Sequence, residues 1–440
     1  MKRVTILGAG LVVKPLLEYL LERPDVEVRL ATLNIDRARR LVRDRPNAEA
    51  LEINAADESH IVRTLGGSDC VISLLPADQH VNIAHACLDL RVPLITTSYV
   101  SDGMRALHDR AVERGVLLLN ETGLDPGIDH MSAVETIREI TREGGRVRAF
   151  LSFCGALPAP ESSANPWRYK FTWSPRGVVV AARNPVRYVE HGQIVERDFP
   201  DYFADPRAVS VPGVGPLEAY PNRDSLQYIQ HYGLDDAETV LRGTLRYPGW
   251  CRAWRALHRL GLLDLEERDW TGVRWRDWVE ARVAAGEGAL VSRLARVLDT
   301  DEDDEVISRL EWLGLLSDRL IGESLATPVD ILARRLQKML VYEPGERDMV
   351  VLEHHFAFDR ADGTRGARTI RLLQFGTAGD DSALAQTVGL PAAMACRRVL
   401  DRDVTLTGVC LPTDVTLARP ILEELATRGI HFEEAPPAVQ

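Results

Sequence analysis

Val4-Thr5-Ile6-Leu7-Gly8-Ala9-Gly10-Leu11-Val12-Val13 is the stretch on which the fold turns. Val4 to Leu7 is a short β-rich run, and it ends directly in glycines. The run from Pro15 to Glu22 reads as a helix, with Leu16, Leu17, Leu20 and Leu21 on one side. A strand that feeds Gly-x-Gly and then a helix predicts a loop for a dinucleotide. Gly8 allows the tight turn, and Gly10 lets a pyrophosphate approach the backbone. Leu11 and Val12 complete the loop, and the helix N-terminus favours the anion. The third position is usually Gly or Ala for close packing, and Val13 departs from that. The alternative is a strand-to-helix turn without a ligand.

Outward from this loop, strands and helices alternate. Strands are expected over Val26 to Ala31, near Ala50 to Ile53, over Cys70 to Leu75, Pro93 to Thr97 and Val116 to Leu119. Helices are expected near Ala38 to Val42 and over Glu58 to Leu65, His80 to Leu88 and Leu107 to Arg114. This spacing implies βαβ units and a doubly wound, Rossmann-type parallel sheet. From Gly123 the texture changes to Pro- and Gly-rich loops between β-like runs such as Val147 to Cys154 and Val178 to Ala182. A mixed α/β domain is expected there. From Asp236 to Leu332 the pattern is almost strand-free, with Trp250, Trp254, Leu257 and Leu260 at helical spacing, which reads as an inserted all-α domain. The acidic run Asp299 to Glu305 reads as a solvated loop, with calcium binding the alternative. Strand texture returns near Met349 to Phe358 and Arg368 to Phe375, and helices are expected over Ala383 to Val399 and Pro420 to Arg428.

Ligands of such sheets lie outside the carboxyl ends of the strands. At the second strand's end, Ala31-Thr32-Leu33-Asn34-Ile35-Asp36-Arg37 puts no carboxylate at the tip to bind a ribose 2′-hydroxyl. Thr32, Asn34 and Arg37 suit a 2′-phosphate, so NADP is preferred over NAD; a strand two residues longer would bring Asp36 forward and revive NAD. Later strand ends offer Leu75, and then Ser98 and Tyr99, to a nicotinamide or its substrate. Gly123-Leu124-Asp125-Pro126-Gly127-Ile128-Asp129-His130 fixes a sharp path carrying two acids and a histidine. Asp125 could bind an ammonium group or order a water. Asp129 and His130 could cap the following helix, and His130 reads as structural.

The 440 residues imply two or three domains, and 45% hydrophobic with 27% charged residues is a globular balance. A net charge of −12 argues against nucleic acid or anionic lipid as partner. No apolar run approaches the roughly 20 residues of a membrane span, and no signal peptide is read at the start. The six cysteines are sparse and form no CxxC pair, so neither a disulfide framework nor a zinc site is expected, and the compartment reads as reducing.

Several longer segments resemble one family. They are Gly-Leu-Asp-Pro-Gly-Ile-Asp-His (123–130), Ser-Phe-Cys-Gly-Ala-Leu-Pro-Ala-Pro-Glu (152–161), and Asn-Pro-Trp-Arg-Tyr-Lys-Phe-Thr-Trp-Ser-Pro-Arg-Gly (165–177). Tyr-Pro-Asn-Arg-Asp-Ser (220–225), Arg-Gly-Thr-Leu-Arg-Tyr (242–247) and Thr-Val-Gly-Leu-Pro-Ala-Ala (387–393) follow in order. They are similar to the saccharopine reductases, the glutamate-forming saccharopine dehydrogenases; the stretch least like them is about 255–335. The resemblance implies a dinucleotide domain of 1–122 and 385–440, a substrate and dimerisation domain of 123–235 and 334–384, and a helical insertion of 236–333. It implies conversion of saccharopine, NAD(P) and water to glutamate and 2-aminoadipate 6-semialdehyde. Substrate residues transfer onto Tyr99, Asp125, Cys154 and Arg223, with Arg246 and Lys170 as extrapolations. Asp125 and Cys154 are the catalytic candidates, for binding or orienting water, with acid–base work a hypothesis. An arginine suited to the 2′-phosphate in fungal relatives aligns with Leu33. No metal is implied. A homodimer in the cytoplasm acting on small amino-acid substrates is expected. The alternatives are a carboxynorspermidine-type dehydrogenase and a dinucleotide-binding regulator without turnover.

Three carboxylates on saccharopine call for several cationic donors, because a guanidinium pairs a carboxylate with both charge and orientation. Singly, Arg223, Arg246 and Lys170 could each be an ordinary ion-paired residue. Cys154 could equally be a buried inert thiol.

Overall fold

The structure is a computed structural model that describes residues 1–283, 286–379 and 381–436. The chain divides into two compact units. One comprises Met1–Val147, Gln230–Gly233 and Ala357–Ala435, and the other Arg148–Ile229 and Leu234–Phe356.

The first unit opens with β1 (Lys2–Leu7), α1 (Val13–Leu21), β2 (Val26–Thr32), α2 (Ile35–Val42), β3 (Ala48–Glu52), α3 (Glu58–Leu65) and β4 (Cys70–Ser73). It continues through α4 (His80–Leu90), β5 (Leu94–Thr96), α5 (Asp102–Arg105), α6 (His108–Arg114), β6 (Leu117–Leu119) and α7 (Ile128–Arg142). The central strands are parallel and buried on both faces, so their sequences are continuous apolar runs: Val4, Ile6, Leu7, Val71 and Ile72 are all fully buried. Helices cover both faces, and Leu16 and Leu17 of α1 face inward as the leucine spacing predicts.

The second unit carries β7 (Arg146–Pro158), α8 (Pro175–Ala181), β8 (Val186–Glu190), β9 (Gln193–Arg197), β10 (Arg207–Val211), β11 (Gly215–Pro221) and α9 (Tyr228–Tyr232) in chain order, the last turn of α9 belonging to the first unit. Then come β12 (Thr239–Arg246), α10 (Trp250–Arg259), β13 (Arg268–Asp269), α11 (Trp275–Glu280), α12 (Leu290–Leu298), α13 (Glu305–Trp312), β14 (Leu325–Ala326), α14 (Pro328–Met339) and β15 (Asp348–Asp359). The mixed sheet here runs β10-β11-β12-β7-β15. β7 and β12 are parallel, β10, β11 and β12 antiparallel, and the β8–β9 hairpin joins at β12.

Two expectations fail here. Val178 to Ala182 is not β-like; most of it lies in α8, because Ser174 accepts a hydrogen bond from the Gly177 N–H and Pro175 opens the helix. That cap and a preset φ outweigh the β preference of three valines. The stretch from Asp236 is also not strand-free, since β12 is a central strand. Flanked by β11 and β7, it is buried on both faces, so no alternation marks it, and Arg242 and Arg246 interrupt its apolar run. The two-residue strands β13 and β14 pair with each other among the helices. In the acidic run, Asp304 caps α13 through the Val306 N–H.

The first unit is completed by β16 (Arg365–Phe375), α15 (Ala383–Leu400), β17 (Gly408–Cys410), α16 (Val415–Thr427) and β18 (Glu433–Ala435). β17 pairs in parallel with β6, α15 packs on α1, and α16 packs on α7. The completed parallel sheet has the order β17-β6-β5-β4-β1-β2-β3. Strand order reverses between β1 and β4, which is where a doubly wound sheet leaves a crevice.

Candidate functional site

The glycine loop sits at that reversal. Gly8 has φ of +100°, and a Cβ there would stand 3.1 Å from the Leu74 carbonyl oxygen. A Cβ on Gly10 would meet no protein atom within 4 Å, so that side of the loop is open. Leu11 is exposed beside it. The α1 N-terminus has no side-chain cap and no acidic residue in its first turn. Its amides are therefore left for an anion. Val13 departs from the usual small residue, and close approach at this end of α1 comes from α15 instead. A Cβ on Gly389 would lie 2.7 Å from the Val12 carbonyl oxygen.

β2 ends at Thr32, and Asp36 lies in the first turn of α2, paired with Arg39. No carboxylate stands at the strand tip. Asn34 caps α2 by accepting the Arg37 N–H, and its own N–H donates to Thr32 Oγ1. Leu33 is 72% exposed. Arg37 folds back over the loop: Nε donates to the Ala9 carbonyl at 2.7 Å and Nη2 to the Gly10 carbonyl at 3.3 Å. The cation missing at position 33 thus reaches the loop from one turn later.

At the ends of β4 and β5 the structure adds to Ser98 a histidine that sequence reasoning did not single out. His80 is buried; its Nδ1 meets Ser73 Oγ at 3.0 Å, and its Nε2 meets Thr96 Oγ1 at 3.0 Å and Ser98 Oγ at 2.9 Å. Burial pushes its pKa down to about 4, so the ring is neutral near pH 7. A histidine one helical start after a strand end was the available signal. Leu75 is half-buried nearby. Tyr99 Oη donates to Asp125 Oδ1 at 2.6 Å, which unites two predicted substrate residues. Asp125 stands in a turn closed by the Gly123 N–H on the Pro126 carbonyl, and Asp129 Oδ1 accepts the Gly127 N–H. His130 is fully buried rather than a cap; it bonds Glu121 and Tyr232.

In the second unit Arg246 is 6% exposed at the end of β12. Its Nη1 donates to the Leu245 carbonyl, and its Nε has no partner. Among the described residues it forms no ion pair. Its neighbours are the phenols of Tyr220 and Tyr169 and the thiols of Cys154 and Cys251, and its guanidinium lies 5.0 Å from the Tyr169 ring and 5.2 Å from Trp250. Tyr169 Oη, Thr172 Oγ1 and Tyr342 Oη are also buried without hydrogen-bond partners among the described residues. Cys154, on β7 opposite Thr244 of β12, belongs to this cluster and is buried. Lys170 is ion-paired with Glu346, so its charge is already matched. Arg223 is exposed, on the loop after β11, with φ of +55°.

A parallel sheet in this order, with an open glycine loop and an uncapped helix at its switch point, defines a dinucleotide-binding oxidoreductase fold. The family model described as the saccharopine dehydrogenase NADP binding domain matches residues 4–119, and the saccharopine dehydrogenase C-terminal domain matches 123–430. The NADP(+), L-glutamate-forming saccharopine dehydrogenase of Schizosaccharomyces pombe is 36% identical over 447 residues, covering 99% of each chain. The mitochondrial alpha-aminoadipic semialdehyde synthase of Bos taurus is 35% identical over 443 residues, 98% of this chain and 47% of that protein. A solved structure of the apo L-Glu-forming saccharopine dehydrogenase from Saccharomyces cerevisiae matches with a TM-score of 0.89 at 36% identity, covering 99% of each chain. The chain belongs to the saccharopine dehydrogenase family.

Proposed function

We propose that this chain interconverts saccharopine, NADP+ and water with L-glutamate, 2-aminoadipate 6-semialdehyde, NADPH and a proton. The carrying observation is Arg246, a buried guanidinium with an unpartnered Nε and, among the described residues, no paired carboxylate, set beside the Tyr169 phenol, whose hydroxyl also has no partner there. Burying an unmatched charge costs several kcal/mol, and a substrate carboxylate is the counter-ion that would offset it. Arg223 is assigned to a second carboxylate, and Lys170, already paired, to a lesser role. Cys154 contacts substrate beside Arg246, as a thiol and not as a nucleophile.

NADP is assigned to the glycine loop: Gly8, Gly10, Leu11 and Val12 about the pyrophosphate, Thr32, Asn34 and Arg37 about the 2′-phosphate, and Leu75 and Ser98 towards the nicotinamide. When bound, the cofactor accepts a hydride from the carbon beside the secondary amine on the aminoadipate side. The C=N bond so formed takes up water and breaks, releasing glutamate. Asp125, fixed by the Tyr99 hydroxyl, is assigned to orienting that water. Residues 1–122 and 385–440 are read as the cofactor domain, and 123–235 with β12 and 334–384 as the substrate domain. The helical insertion then begins after β12. No described helix is long and apolar enough to cross a membrane; six unpaired cysteines support a reducing, cytoplasmic setting, and the homodimer is carried over from the family resemblance.

Steady-state NADPH formation from saccharopine tests the reading. Arg246→Met, which keeps the volume and removes the charge, is expected to lower kcat/KM for saccharopine about 100-fold, the worth of roughly 3 kcal/mol for a desolvated charge pair, with KM for NADP nearly unchanged. Absence of saccharopine-dependent turnover in the parent chain, or an Arg246→Met enzyme equal to it, overturns the assignment.

A further inference from the structure

Glu121 is a buried carboxylate in a left-handed backbone conformation, 2% exposed with φ of +56°. Both features are unfavourable for an ordinary loop residue. Left-handed backbone is strained for a non-glycine residue, and burial of a carboxylate is unfavourable unless its oxygens are matched. Such strain persists only where surrounding contacts over-determine it, and it gathers at working sites.

The contacts at Glu121 are of that kind. Its N–H donates to the Ser98 carbonyl at 3.1 Å, and Oε1 accepts the Val100 N–H at 2.9 Å. One residue therefore grips the peptide groups on both sides of Tyr99. Oε2 lies 2.8 Å from His130 Nε2, and His130, which is 0% exposed, meets the Tyr232 hydroxyl through Nδ1. The second oxygen thus fixes the rotation of the carboxylate, and Tyr232 fixes the ring. Glu121 also leads directly into the turn that carries Asp125, whose Oδ1 receives the Tyr99 hydroxyl.

We propose that Glu121, oriented by His130 and Tyr232, is a positioning residue for saccharopine turnover: it holds the Ser98–Val100 segment so that the Tyr99 hydroxyl stays on Asp125. The proposal rests on the reading that Tyr99 and Asp125 contact substrate. An apolar residue could fill the same space but could not accept the Val100 N–H, and that directional bond sets where Tyr99 points.

The test is a kinetic cycle of Glu121→Leu, which removes the acceptor for the Val100 N–H, with Tyr99→Phe and the double variant, reading kcat and KM for saccharopine and KM for NADP. Each single variant is expected to lower saccharopine kcat/KM by ~10- to 100-fold, with KM for NADP within about twofold. The double variant is expected to fall little below the worse single, because both changes disable one unit. Should Glu121→Leu fail to fold, Tyr232→Phe, which removes only the far hydroxyl, takes its place in the cycle with a smaller expected loss. Multiplying effects, a first variant equal to wild type, or equal losses towards saccharopine and NADP overturn the proposal; the last marks general loosening. A Tyr99→Phe enzyme with normal saccharopine kinetics removes the substrate-contact reading itself, whereas impaired Tyr99→Phe with multiplying effects removes only the role of Glu121.

Discussion

His80 illustrates how a single side chain couples site geometry to stability. Its ring bonds three hydroxyls, and burial lowers its pKa from 6.5 to about 4. The unfolded chain therefore binds more protons than the folded one between those values, and stability rises with pH across that window. The contribution is fully present above about pH 6.5 and is lost as pH falls through about 4, to an extent of about 3 kcal/mol. Urea midpoints measured from pH 7 down to pH 4.5 should show a shallower acid decline for His80→Asn than for the parent chain. Equal slopes would mean that His80 does not titrate in this way. The residue-level reading of the sequence singled out Ser98 and Tyr99 just after β5 and Asp125 in the Gly123–Gly127 turn, because strand ends and Gly–Pro punctuation are local signals. It passed over His80 and Glu121, because a buried polar residue announces itself by its partners, and those lie 7 to 21 positions away along the chain.

Elements were legible where period and punctuation agreed. β1, the glycines and α1 announce one another in consecutive residues, and α3 was read to its ends because Asp57 caps it and Gly66 follows it. α8 and β12 were misread for opposite reasons: a local cap overrode strand propensity in one, and two-sided burial erased alternation in the other. The α1–α15 contact was not legible at all, although it bears on the cofactor loop. Replacing Gly389 with Ala adds a methyl group 2.7 Å from the Val12 carbonyl and 3.3 Å from Leu16 Cβ. Backbone has to shift, so the gain in helix propensity, about 1 kcal/mol, is outweighed by an overpacking cost of about 1–3 kcal/mol. The expected result is a lower Tm together with weaker NADP binding, because the displaced carbonyl belongs to the loop. A Gly389→Ala chain that melts higher and binds NADP normally would contradict this packing argument.

At the scale of the molecule, a chain with net charge −12 is assigned anionic ligands, a cofactor and a tricarboxylate. Local cations make this workable: Arg37 over the glycine loop and Arg246 inside the second unit act at contact distance, where the screened global field counts for little. Binding of NADP to the folded chain alone should raise stability by RT ln(1 + [L]/Kd), about 2.7 kcal/mol at one hundred times Kd. The corresponding rise in Tm should shrink for Arg37→Ala with NADP and stay nearly unchanged with NAD, which lacks the 2′-phosphate; an identical loss with both cofactors would take Arg37 away from that phosphate. By itself the sequence determined the parallel dinucleotide-binding sheet and the family, because glycine spacing, apolar runs and long matched segments are local signals written in consecutive residues. Only the tertiary structure decided that Arg246 lacks a counter-ion among the described residues while Lys170 has one, that α15 supplies the close approach Val13 does not, and that Glu121 grips both sides of Tyr99. Each of those facts depends on which distant residue shares a buried volume, and no local pattern encodes it.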